Sequence, residues 1–381
     1  MKLGIAVVLM NLVSALTAPT VAWPGSTAVR ITDQADALGG NISGLTLAGP
    51  SSLWAVRDGP SALSKLERTN AGWGLGSASG GSRALKYADG SGSPDAEAVT
   101  TAAGDDAAVY VGAERDNDKP SSSRNSILRF DTSNPGALRA TQQWELASVL
   151  PASGANTGIE GLTWIPDDVL VAMGFRDATG KTYAPADYPG HGRGLFVAGL
   201  EQNGALYVLA LRDDGGVALV ASMPSGLSAV MEVVWSAARQ ELWVLCDNTC
   251  GGVAAVLRLS GGSFVVSVIV QPPPGMASLN NEGFALGATC TDDTMAAIWA
   301  DDGASDGHVL REATLGCATI ASTGTAPVAP PSSTQPSIES GASEDPPSED
   351  RSSAVLVGVA VALAVSAAAA TVLVRHTRAR R

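Results

Sequence analysis

The chain has 381 residues, 45% of them hydrophobic and 5% aromatic, and its 37 acidic residues outnumber the 24 basic ones for a formal net charge of −13. That length holds one large domain or two smaller ones. The acidity argues against nucleic acid as a partner, because it repels a phosphate backbone, and favours divalent cations instead.

In chain order, Met1-Lys2 leads into an apolar run from Leu3 to about Leu16, and small residues follow to Ala22, ahead of Trp23-Pro24. This is the layout of a secretory signal peptide, residues 1–22, with the cut expected after Ala22. The body is expected over 23–320. Residues 321–352 are Pro, Ser, Thr, Glu and Asp with almost nothing large and apolar, so they cannot bury enough surface to fold and read as a stalk. Residues 353–374 include an uncharged stretch long enough to span a bilayer. The basic tail, 375–381, marks the cytoplasmic side. The expected product is an exported cell-surface protein, single-pass, with its body outside.

Within the body, short apolar runs such as Leu53-Trp54-Ala55-Val56, Val109-Tyr110-Val111-Gly112 and Leu242-Trp243-Val244-Leu245 alternate with Gly, Asp, Asn and Pro clusters. These are strand signals, and helical periodicity is nearly absent. The runs fall into copies of one four-stranded unit, the mark of an all-β propeller. Five blades account for the copies. Six result if Val169–Met173 is counted as a strand rather than as part of an insertion, 167–194, lying over one face. The fifth copy lacks an outer strand, and 27–32 is a spare strand near the start. Supplying one from the other closes the ring and removes its open edges.

The first strand of the copies carries Glu97, Glu160, Glu232 and Glu282, with Ser43 in the fifth place. A second acidic set follows the second strand: Asp58, Glu114, Glu201, Asp247 and Asp301. In a propeller both sets converge near one mouth of the central channel. So many like charges need compensation. A hard cation such as calcium, which takes 6–8 oxygens, would supply it, with Asn41, Asn156, Asn248, Asn280 and Asn281 close enough to add carbonyls. The alternatives are Arg57, Arg115 and Arg176, or blade amides that each glutamate anchors. The four cysteines suit two disulfides in an exported chain, Cys246–Cys250 and Cys290–Cys317.

The stretches GIEGLTWIPD, GLFVAGLEQNGALYVLAL, ELWVLCDNTCGG, NNEGFALG and IWADDGASDGHVLREATL resemble the extracellular phytase-like family, also described as the esterase-like domain of phytase. The resemblance spans most of 42–315. It implies a propeller and calcium-assisted hydrolysis of phosphate or other esters, with a small-molecule ester as partner. The chain departs from phytase propellers in lacking a basic cluster, beyond Arg57, Arg115, Arg176 and Arg193, to receive a multiply charged phosphate. His191, Glu160 and Glu201 are the candidate catalytic residues, His191 being placed on a flexible rim near the mouth, where it reads as a general base or, in preference, as an ordinary surface-loop histidine. A non-catalytic surface propeller that binds a ligand or a protein is the competing reading. The oligomeric state is left open.

Overall fold

The computed structural model describes residues 18–321, except 26, 77–80 and 134. Most of the expected leader, and nearly all of the stalk with the span and basic tail, lie outside them. Among the described residues no helix is long and apolar enough to cross a membrane.

The strands form five sheets, each one blade of a propeller. The inner strands are Ile42–Gly49, Pro94–Thr100, Ile159–Pro166, Glu232–Ser236 and Asn281–Leu286. Each pairs antiparallel with the next strand of its copy, and the inner strands neighbour one another in sequence order, with the fifth returning to the first. The ring closes as expected: Arg30–Ile31 pairs antiparallel with Leu310–Gly316 and supplies the fifth blade's outer strand.

Closure is driven by burial at the seams. Five apolar clusters occupy the five blade interfaces, the second seam holding Ile127, Trp144, Leu162 and Phe196, and the third Ile165, Val197, Val233 and Leu257. Side chains of this size contribute about 1.5–3 kcal/mol each when fully buried. The strand alternation that marks the copies in sequence is therefore what fills the wedges between blades. Five of the eight tryptophans (Trp23, Trp73, Trp144, Trp243 and Trp299) are buried, in line with a blade-core role.

Asp167–Met173 is an α-helix, ended by Gly174 in the left-handed conformation, which removes the sixth-blade strand. The insertion drives Leu170, Phe175 and Tyr183 into the seam between the third and fourth blades. It is fixed there by backbone bonds from Ala178 to Val220 and from Arg176 to Gly262.

Near the start, Thr20–Val21 pairs in parallel with the fourth blade's outer strand, and Trp23 packs on Trp243 and Trp299. The cut expected after Ala22 falls between these two contacts.

Both disulfides form as paired in the sequence, Cys246–Cys250 at a separation of 4 and Cys290–Cys317 at 27. Chain entropy then predicts that C290S/C317S costs about 3–4 kcal/mol and C246S/C250S about 2 kcal/mol. Urea melts of the two double variants check this, and equal losses would overturn the ranking.

Candidate functional site

Four inner strands carry the same irregularity. Glu160 is an extra residue between the pairs Ile159↔Leu200 and Gly161↔Gly199. Ser43, Glu97 and Glu282 are extra residues at the matching place in their blades. A bulge bends the strand and re-aims one side chain. Here it aims three carboxylates and a serine at one end of the channel. The glycine beside the bulge has a steric cause: a Cβ on Gly161 would lie 2.6 Å from the Val233 nitrogen, and one on Gly44 would lie 2.8 Å from the Ala98 Cα. At these two blades the adjacent inner strand can approach only because that position is bare, whereas the second blade carries Ala98 there.

Glu232 departs from the set. It pairs directly with Leu245, without a bulge. Its buried carboxylate accepts the N–H of Val233 at 2.9 Å, of Leu45 and Leu162 at 3.4 Å each, and of Phe284. One side chain thus ties inner strands of the first, third, fourth and fifth blades together across the axis. For this glutamate the blade-anchor reading holds.

The remaining acids gather at the mouth. One oxygen each of Asp58, Asp95 and Glu97 lie within 4.8 Å of one another. Arg115 sits 2.6 Å from Asp95 and 2.7 Å from Glu114, and Gly158 donates its N–H to Glu114 at 2.9 Å. Asn280 donates to Glu282 at 2.8 Å. Glu97 and Glu160 accept no hydrogen bond from a described residue, though both are buried.

Electrostatics follows from that burial. Desolvation first, then repulsion from Asp95, Asp58, Glu282 and Glu114, holds Glu97 well above the usual carboxylate range. Glu160 is raised in the same way, by burial and then by Glu97, Glu114, Glu282 and Glu201. Burial pushes Glu114 and Glu282 up to about 8. Asp95, Glu201 and Asp302 are also raised, again chiefly by burial.

Two of the expected ligands turn away from this cluster. Asp247 accepts from the Thr249 N–H at 2.9 Å and hydroxyl at 2.5 Å, inside its own turn. Asp301 accepts from the Ser305 and Gly303 N–H groups at 2.7 and 3.2 Å. The next residue, Asp302, faces Asp58 and Glu282 in its stead. Glu201 is half-buried at the head of a short turn, with Asp247 as its charged neighbour. Sequence reasoning missed Asp95 and Asp302 as site members. Asp95 stands two residues before Glu97 and Asp302 directly follows Asp301, so counting acids at i±1 and i±2 would have found both.

Of the four expected arginines, Arg57 donates to the Leu38 carbonyl and Arg115 is paired as above. Arg176 and Arg193 belong to the insertion, which connects the far end of its inner strand to the next strand. Six residues of strand, 161–166, separate Glu160 from Asp167, roughly 20 Å. His191 is therefore not beside the mouth. It is buried at the opposite face, with Nε2 3.1 Å from both Asp167 oxygens and 3.0 Å from the Tyr183 hydroxyl. Topology and burial together remove it as a base for chemistry at the mouth.

One further motif lies on the mouth side. Gly303-Ala304-Ser305-Asp306-Gly307 has the spacing of a serine nucleophile elbow, and Ala304 and Asp306 take φ values of 46° and 59°. It joins two antiparallel strands rather than a strand and a helix, unlike an elbow. His308, three residues on, is 3.3 Å from Asp33 and makes no hydrogen bond with the Ser305 hydroxyl. The turn is a hairpin connection shaped around Asp301.

Residues 37–221 match the family described as Phytase-like: Esterase-like activity of phytase. A search of curated proteins returns no match. Among solved structures, a protein of unknown function from Bacteroides thetaiotaomicron is similar at 9% identity and a TM-score of 0.38, over 75% of this chain and 76% of the other. A protein from Lactobacillus plantarum is similar at 14% identity and a TM-score of 0.34, over 72% and 71%. The PQQ-bound aldose sugar dehydrogenase of Streptomyces coelicolor is similar at 13% identity and a TM-score of 0.38, over 77% and 100%.

Proposed function

We propose that this chain is a phytase-like β-propeller, a reading supported by the match over residues 37–221, and that it holds a hard divalent cation such as calcium at its acidic mouth and hydrolyses phosphate or other esters there, as an exported protein tethered to the cell surface by the helix expected over 353–374. The observation that carries this reading is the convergence of Asp58, Asp95 and Glu97 oxygens within 4.8 Å, where Glu97, like the neighbouring Glu160, is buried with no described donor. The donor set is oxygen throughout, which suits calcium rather than a softer metal. Bound there, a cation polarises an ester and lowers the pKa of a coordinated water.

The chain's own residues divide the work. Asp58, Asp95 and Glu97 would hold the ion, with Asp302 and Glu160 as their acidic neighbours. Arg115 neutralises Asp95 and Glu114 and so keeps the two acids close. Glu282, pushed up to about 8, exchanges its proton near neutral pH, as a general acid or base requires.

The competing reading, a surface module that binds without catalysis, is favoured by one observation. Among the described residues, Arg57 and Arg115 at the mouth, and Arg311 beside Asp301, already engage protein oxygens.

The test assays the purified protein against phosphate monoesters, phosphate diesters and carboxyl esters, with calcium and with EDTA. Calcium-dependent turnover that falls about 100-fold in Glu282→Gln supports hydrolysis. Calcium binding without turnover of any ester moves the assignment to the binding module.

A further inference from the structure

On the face opposite the acidic mouth two cavities adjoin. One, of about 280 Å³, lies on the channel axis between Thr46, Thr100, Thr163 and Ser236. The other, of about 530 Å³, lies between Gly104 and the insertion's Asp167, Asp168 and Arg193. Trp164 lines both. Unlike the five core tryptophans it is only half-buried, and its indole N–H has no acceptor among the described residues.

The insertion spends two buried polar side chains on one carboxylate. Tyr183, 2% exposed, donates its hydroxyl to Asp167 at 2.7 Å. His191, 7% exposed, faces both Asp167 oxygens at 3.1 Å, and its other ring nitrogen bonds the Tyr188 carbonyl. Asp167 itself keeps 16% of its side chain exposed and lines the larger cavity. Tyr183 and His191 are thus positioning residues that fix an acceptor at a cavity wall. Across from it Arg193 is exposed and forms no ion pair with a described residue. Asp168 uses one oxygen on the Val169 N–H at 2.9 Å, which leaves the other for a ligand.

We propose that this is a carbohydrate site, with a sugar ring seated against Trp164, its hydroxyls donating to Asp167 and Asp168 and accepting from Arg193. The chemistry of the lining selects this class. An anionic ligand would meet two carboxylates against one guanidinium. An apolar ligand would desolvate three charged groups without replacing their hydrogen bonds. A neutral polyhydroxylated ring both donates and accepts, and its C–H face matches an indole. The larger cavity alone, about 530 Å³, suits a small ligand, whose pockets run to about 300–1,000 Å³. This site does not depend on the reading of the mouth, which lies at the other end of the inner strands.

The test uses the full-length protein on an array of immobilised glycans. In solution it is titrated with glucose, galactose, mannose and N-acetylglucosamine, and with their β1-4 disaccharides, up to about 10 mM, by tryptophan fluorescence and calorimetry. At least one saccharide should bind, and Trp164→Ala and Arg193→Ala should each weaken it about tenfold or more. Glu97→Gln at the mouth should leave it unchanged. Arg193 is exposed, so its variant reads binding without threatening the fold. The proposal is overturned if no saccharide binds, if binding survives in both variants, or if Glu97→Gln abolishes it.

Discussion

Glu232→Ala should destabilise the domain by about 3 kcal/mol, the largest loss expected from any single acid in the channel. The side chain answers four backbone N–H groups, three of them from other blades. A buried donor left without an acceptor costs about 1–3 kcal/mol. Against this stands the relief of removing a buried carboxyl. Burial raises its pKa and the four amides lower it, so in the native protein the amides already offset part of that cost. The lost amide bonds therefore win. Glu232→Gln keeps one carbonyl acceptor and should lose about half as much. Glu97→Gln and Glu160→Gln should be neutral or stabilising in EDTA, since these carboxylates accept no described hydrogen bond and repel their neighbours. Urea melts of the four variants at pH 7 decide the matter. A Glu232→Ala protein as stable as Glu97→Gln would mean that the axis is not held by this residue.

The contrast between Glu232 and the other glutamates shows how far the sequence could be read. Blade number, strand order, the closing strand near the start and both disulfides were legible, because each rests on a repeated local pattern or a count. The E-G dipeptide at 160–161 and 282–283 was visible too, but its cause was not. That cause is the contact of one inner strand with the next, as between Gly161 and Val233, and no local pattern encodes it. Glu232 has the same residue type in a run of the same look, yet no bulge precedes it, and one residue of register turns it from the mouth to the axis. Asp301 and Asp302 pose the same problem: adjacent strand-end residues point to opposite sides, and only the ladder shows which side is the mouth. His191 was misplaced for a topological reason. A loop between the first and second strands of a blade leaves from the opposite face to a loop between the second and third.

Calcium should raise the melting temperature, and by more at pH 8 than at pH 5. The sign follows from the carboxyls at the mouth. Glu114 and Glu282 are pushed from an ordinary value of 4.5 up to about 8 in the folded protein. Below 4.5 both states hold the proton and there is no difference. Between 4.5 and 8 the unfolded chain has released it while the folded one retains it, so stability falls as pH rises, by about 1.4 kcal/mol per unit for each such group. Glu97 and Glu160, also raised by burial and by their acidic neighbours, act in the same direction. Asp105, lowered chiefly by its bond to Arg129, acts below 3.8 and does not enter this window. In EDTA the melting temperature should therefore decline from pH 5 to pH 8. A cation that displaces these protons binds more tightly as pH rises, about tenfold per unit for each proton released. At a hundredfold excess over Kd it adds about 2.7 kcal/mol, or about 4 °C for a domain of roughly 300 residues. Thermal melts across pH, with calcium and with EDTA, measure both slopes. In Asp95→Asn the calcium increment should shrink, while the decline in EDTA should persist because Glu114 and Glu282 remain. If the decline is present but calcium leaves it untouched at every pH, the acids at the mouth are balanced by protons alone and the cation must be withdrawn from the reaction.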